Sequence, residues 1–159
     1  MSSSLENLGT ENRKFPPTPE FAAAANAKAD SIKFQTYTAK KLVTKTASKY
    51  WEDGIPNETQ FDVFAKLDSL TNDDWKCVFE YADKKGITCF STPFDEKSVD
   101  HLIDMGVKAF KIASFDIVNL PFIHYVASKQ LPIILSTGMS HLNEIEEAIE
   151  AGDKMLAEA

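Results

Sequence analysis

Three short apolar runs recur at a fixed interval in this chain. Phe90, Ile112 and Ile134 sit inside them, each 22 residues from the next. Every run ends in small polar residues, and a segment with helical spacing of apolar side chains fills each interval. Strand, helix-sized connection and strand in register is a βαβ unit, and such connections join parallel strands. Parallel strands are normally covered on both faces by helices or by the rest of a barrel. The repeat therefore predicts an α/β fold and places Ile112 and Ile134 among the most buried residues.

Four strands follow from the same reading: Ser31–Thr36, Ile87–Ser91, Val107–Ala113 and Leu131–Ser136. Between them the helix signals are local. Phe21–Ala29 is alanine-rich, and Phe61, Phe64, Ala65 and Leu67 share a face. Thr71 and Asp74 fit a capping box, with Leu70 and Trp75 as a hydrophobic staple. Trp75, Val78, Phe79 and Ala82 then mark a buried stripe that Gly86 ends. Asp95 caps a helix with Val99, Leu102 and Ile103 inward, which stops at Gly106. Asn119, Leu120 and Pro121 open another with Ile123, Val126 and Ala127 inward. Ser140 is expected to cap the last, carrying Leu142, Ile145, Ile149 and Leu156. Thr38–Thr59 is a long connection, open to two readings: a functional loop or a surface excursion with a helical turn. The polar, proline-containing residues 1–20 read as a poorly ordered tail, and residues 21–159 as one domain.

Composition narrows the function. The 159 residues carry a net charge of −7, which argues against a nucleic-acid partner. No apolar run approaches the roughly 20 residues of a membrane span, and no signal-peptide pattern opens the chain, so a cytoplasmic protein is expected. Cys77 and Cys89 read as reduced packing residues. No dinucleotide fingerprint or P-loop is present. His101, His124 and His141 lack metal-ligand spacing and fit surface or capping roles. Glu144, Glu146, Glu147 and Glu150 read as a solvated helix face.

The chemistry concentrates at the strand ends, which read Gln35-Thr36, Ser91-Thr92, Ala113-Ser114 and Ser136-Thr137. Ligands of parallel α/β proteins sit at the carboxyl ends of strands. Lys33 and Lys111 lie within the first and third strands. A buried ammonium is costly unless an anion meets it, and no acidic residue stands within the strand-like runs. Two readings are open: each lysine snorkels to water, or both meet a carboxylate or phosphate ligand beside the hydroxyls.

At these residues the chain resembles the N-acetylneuraminate (sialic acid) synthase family, which includes the legionaminate and pseudaminate synthases. The matching motifs are Ile32-Lys33-Phe34-Gln35, Phe90-Ser91-Thr92-Pro93-Phe94-Asp95, Phe110-Lys111-Ile112-Ala113-Ser114 and Ile134-Leu135-Ser136-Thr137-Gly138-Met139. The resemblance implies a TIM barrel, here a partial barrel of four parallel strands with flanking helices. It implies condensation of phosphoenolpyruvate with an N-acetylated amino sugar, N-acetylmannosamine or a relative, giving a nonulosonic acid and phosphate. Lys33, Thr92, Lys111 and Ser114 would hold phosphoenolpyruvate, with Gln35 in the same pocket. A divalent metal, manganese or magnesium, is implied as well, although its ligands match nothing in this chain. The resemblance spans strands two to five of eight. An incomplete fragment is therefore expected, inactive alone and associating with a second copy or a complementary fragment. Two alternatives stand beside this one. The first is another phosphoenolpyruvate-dependent or Schiff-base aldolase barrel. The second is a non-catalytic half-barrel that binds an anion or a partner chain.

Overall fold

The structure, a computed structural model, describes residues 23–24, 26–52, 57–68 and 70–157, with the backbone alone for 154–157. The expected tail lies outside the described residues. So do most of the first helix, of which Ala23, Ala24 and Asn26 are helical, and the side chain of Leu156.

Four strands form one sheet: β1 (Ser31–Thr36), β2 (Thr88–Pro93), β3 (Phe110–Ile112) and β4 (Ile133–Leu135). They lie in sequential order and all pair parallel. This is the sequence expectation, and it makes the chain a run of β/α units of the TIM-barrel type. β3 and β4 are shorter than their apolar runs because only three residues of each join the ladder. The connections carry α1 (Ala39–Leu42), α2 (Gln60–Leu67), α3 (Asn72–Lys85), α4 (Glu96–Asp104), α5 (Leu120–Ala127) and α6 (Leu142–Ala157). A 3-10 turn follows β3 at Ser114–Asp116.

Local chemistry fixes the helix ends. Thr71 accepts from the Asp74 amide while Asp74 accepts from the Thr71 amide, so the capping box at α3 forms as read. Thr59 and Asp62 make a second one at α2. Gly86 ends α3 in the left-handed region at φ 67°, where a side chain is disfavoured. Replacing Thr71 with Ala removes one side of a box and should lower stability by about 1 kcal/mol. Urea midpoints compared between the two proteins measure it, and an unchanged midpoint would show that the α3 end is held by packing alone.

The core lies on one face of the sheet. Ile32, Phe34, Cys89, Phe110, Ile112, Ile133 and Leu135 meet Trp75, Val78, Phe79, Val99, Leu102, Phe122 and Val126 from α3, α4 and α5. Phe110, Ile112, Leu102, Val99 and Val126 are wholly buried, each worth about 1.5–3 kcal/mol of transfer free energy. Burial pushes the Cys89 thiol up to about 12, so this cysteine is an inert packing group.

Three expectations about burial are corrected. Ile134 is 49% exposed, because the register sets it beside Lys111 on the face opposite the core. Period-2 alternation placed it correctly in the strand, but the helices cover only the other side. Ile103 is also exposed, at the edge of the α4 stripe that Val99 and Leu102 occupy. On α6, Leu142 and Ile149 are exposed while Ala148 and Ala151 are buried against Ile117 and Ile123. Small residues let α6 approach α5 closely, and the larger ones are displaced to the flank. The start of α6 differs too. The His141 amide donates to Glu144 at 2.7 Å, so the helix is capped one residue after Ser140, by Glu144 reaching back to the amide of His141.

Candidate functional site

The uncovered face of the sheet carries the polar side chains. Pairing sets Lys33 against Phe90 and Gln35 against Thr92. Ser91 pairs with Phe110, so one step on Thr92 stands beside Lys111, which pairs with Ile134. Lys33, Gln35, Thr92 and Lys111 thus share a face, with Thr92 between the two lysine-bearing strands. Ser114 begins the turn that continues from β3.

Two atoms in this region lack what burial normally demands. Among the described residues, Thr92 Oγ1 and Asp116 Oδ2 are the buried side-chain oxygens without a hydrogen-bond partner. A buried hydroxyl left unpaired costs about 1–3 kcal/mol, so such atoms cluster where a ligand completes them. Thr92 is 1% exposed and stands between Gln35 and Lys111.

The strand-like runs hold no acid, yet an acid just beyond them, Asp116, comes within charge range of Lys111. It lies two residues past Ser114, outside the strand-like run, and the 3-10 turn folds it back toward β3. Burial pushes its carboxyl above the usual range, and the Lys111 ammonium opposes this. The Lys111 ammonium is itself held below the ordinary value, by burial first and by the neighbouring charge of Lys33 second, with Asp116 pulling it back. The two lysines are therefore close enough to repel. The signal for Asp116 was an acid three residues after a strand, which sequence spacing alone cannot separate from a helix cap.

Linkage gives a test. The folded-state carboxyl of Asp116 titrates above its ordinary 3.8, so the folded chain binds more protons than the unfolded one in that window. Stability then falls as pH rises from 3.8 to the raised value. Asp116→Asn should remove this slope, its gain over the native protein growing across the window and then levelling. Urea midpoints at a series of pH values read it; parallel curves for the two proteins would show that Asp116 ionises freely.

The hydroxyls at the strand ends do not all share the face of Lys33 and Lys111. Thr36 Oγ1 and Ser91 Oγ lie 2.8 Å apart and buried, joining β1 to β2 on the core face. The alternation that aims Gln35 and Thr92 one way aims Thr36 and Ser91 the other. Past the strands, Lys41 donates to Asp95 at 2.8 Å and the Ser98 amide donates to the same carboxylate at 3.1 Å. Burial works against the charge of Asp95. The Lys41 ammonium and the Ser98 amide outweigh it and hold the carboxyl below the usual range. This ties the loop after β1 to the loop after β2. Aromatic rings continue the tie: Phe64, Tyr37, Phe94 and Phe115 follow one another edge to face, then stacked, at 5.6, 6.0 and 5.7 Å. A side chain at Gly138, in the loop after β4, would begin 3.8 Å from Ser114 Oγ, so that loop closes on the turn after β3. In the described part of the long connection Glu58 pairs with Lys49, and with Lys66 of α2.

Among the described residues, no three His, Cys, Asp or Glu side chains gather as metal ligands. The metal implied by the resemblance does not fit the donor set present. His101 packs edge to face on Trp75 at 6.4 Å instead. Among the described residues no helix is long and apolar enough to cross a membrane.

The chain matches the family described as the NeuB family over residues 21–158. It is 44% identical over 131 residues to the N,N'-diacetyllegionaminic acid synthase of Legionella pneumophila, covering 80% of this chain and 36% of that one. The synthase of the same name from Campylobacter jejuni is 41% identical, covering 79% and 38%. The chain thus spans about a third of the length of these curated relatives. Among solved structures, the sialic acid synthetase of Leptospira borgpetersenii superposes with a TM-score of 0.68 at 31% identity, over 84% of this chain and 42% of that one.

Proposed function

The chain belongs to the NeuB family, and on that premise we propose that it supplies the phosphoenolpyruvate-binding wall of a nonulosonic acid synthase. The reaction joins the methylene carbon of phosphoenolpyruvate to the carbonyl carbon of an N-acylated amino sugar, whose oxygen takes up a proton, while water adds at the neighbouring enol carbon and phosphate leaves. The observation that carries this reading is the pair Lys33 and Lys111 on one sheet face, with the buried, unpartnered Thr92 hydroxyl between their strands.

Each residue has a task that its chemistry permits. The two ammonium groups, mutually repelling when empty-handed, are relieved by a ligand bearing both a carboxylate and a phosphate. The Thr92 and Ser114 hydroxyls donate to its oxygens, and the Gln35 amide offers two further donors. Asp116, its carboxyl pushed up beside the ammonium, holds a proton more readily than an ordinary aspartate. The Lys41–Asp95 tie and the aromatic row keep the loops after β1, β2 and β3 in fixed relation, so the donors are held before ligand arrives.

Titrating phosphoenolpyruvate into the isotope-labelled chain tests the reading. Saturable amide shifts confined to Lys33, Thr92, Lys111, Ser114 and their neighbours are expected. Small, unsaturable shifts spread over the surface lysines would sink it.

A second reading has one observation in its favour. Lys111 is desolvated and stands near a like charge, the setting that activates Schiff-base lysines. Incubation with pyruvate and borohydride separates the two. The synthase reading expects no adduct, whereas a reduced imine on Lys111, found by mass spectrometry, would move the chain to the aldolase class.

A further inference from the structure

The turn after β3 is held inward at a cost. Asp116 Oδ2 is buried without a hydrogen-bond partner. An unpaired buried oxygen is unfavourable, and rotating the turn outward would return it to water. The backbone alone gives the turn little hold. It is a single 3-10 turn, in which the Asp116 amide donates to the Ala113 carbonyl at 3.0 Å and the Ile117 amide to the Ser114 carbonyl at 3.4 Å, the second a long bond.

The side chains on either side of Asp116 supply the rest. Ile117 is buried in the cluster that holds Ile123, Ala148 and Ala151. Phe115 has no such burial. It is 64% exposed, yet its ring lies on that of Phe94, with 11° between the planes and 5.7 Å between centroids. The platform beneath it is fixed. Tyr37 meets the Phe94 ring edge to face at 6.0 Å, and Asp95, the next residue, is tied to Lys41 and to the Ser98 amide. Phe115 therefore fastens the turn after β3 to the loops after β1 and β2, and a paired ring is worth more than the area it buries.

We infer that Phe115 is a positioning residue: stacked on Phe94, it braces the Ser114–Asp116 turn inward and so sets the place of the Ser114 hydroxyl and the Asp116 carboxyl beside Lys111. The consequence for ligand rests on the synthase reading and deepens it, since Phe115 acts through its neighbours rather than on the anion. Without the stack, Ile117 holds one side alone and the turn swings until Asp116 Oδ2 meets water. The carboxyl then titrates near its ordinary 3.8, no longer pushed up by burial, and Ser114 is drawn away from the oxygens it would donate to.

Two measurements test the brace, the first without ligand. Urea midpoints across pH read the burial of Asp116. In the native chain stability falls as pH rises from 3.8, because the folded carboxyl keeps a proton that the unfolded one releases. Phe115→Ala should flatten that fall, and Phe115→Trp, which retains a ring to stack, should keep it. A merely structural loss would lower the midpoint equally at every pH. The second measurement is phosphoenolpyruvate affinity by calorimetry. Phe115→Ala should weaken it about 2- to 12-fold, the worth of one aromatic pair. Phe94→Leu should weaken it similarly, and the double variant should lose little more than either single one. The same pH slope in the native chain and in Phe115→Ala, or losses at Phe94 and Phe115 that add in full, would overturn the inference. A flattened slope in Phe115→Ala, together with no phosphoenolpyruvate binding by the native chain, would uphold the brace and sink the synthase reading instead.

Discussion

Lys111→Ala should weaken phosphoenolpyruvate binding by about 10- to 150-fold, the loss of a hydrogen bond to a charged group worth about 1.5–3 kcal/mol. Calorimetry on the native and substituted chains reads it directly. The substitution should not destabilise the free protein, because the ammonium is disfavoured where it stands. That pairing of results separates a ligand-binding lysine from a structural one. The pH dependence follows from the same residue. The Lys111 ammonium of the free protein titrates below the ordinary 10.5, so affinity should decline as pH rises through that lowered value. In Lys111→Ala the alkaline decline should vanish. An unchanged dissociation constant would mean that the side chain reaches past the ligand into water.

One residue earlier, the expected effect is on folding. Phe110 is wholly buried, packed among side chains from the helices behind the sheet. Phe110→Ala should cost about 3–5 kcal/mol, because the rigid neighbours cannot collapse into the space left. For a domain near this size that lowers the melting temperature by roughly 6–20 °C. Scanning calorimetry checks it, and a cost below about 1 kcal/mol would mean that the β3 core face is loosely packed. Lys111 and Phe110 are adjacent, so the two outcomes also test the strand: a one-residue slip in register would exchange them.

Much of this was legible from spacing. The repeat of Phe90, Ile112 and Ile134 yields parallel order, and Thr71, Asp74, Gly86 and Asp95 mark helix ends by chemistry that acts within four residues. What spacing could not give was which face the helices cover. Ile134 and Ile112 occupy equivalent places in the repeat, yet one is exposed and the other is not, because their strands contribute opposite faces at those positions. The same parity explains Thr36 and Ser91, hydroxyls drawn into the core by each other. Asp116 stayed hidden for another reason. Its closeness to Lys111 depends on a single 3-10 turn, whose direction is set by tertiary packing rather than by local propensity. The size of the residues on α6 misled likewise, since close helix approach favours Ala148 and Ala151 over Leu142 and Ile149.

The alternation along β1 has an evolutionary consequence. Ile32, Lys33, Phe34 and Gln35 are consecutive, yet they answer to different selective pressures. Changes at Ile32 or Phe34 are felt by every molecule that must fold, whatever its substrate. On the proposed reading, changes at Lys33 or Gln35 are felt when ligand binds, since both lie on the face opposite the core. Neighbouring codons can therefore drift almost independently. If the proposed site is right, a lineage can retune its ligand by altering every second position of a strand, while its folding stability is carried forward by the positions between.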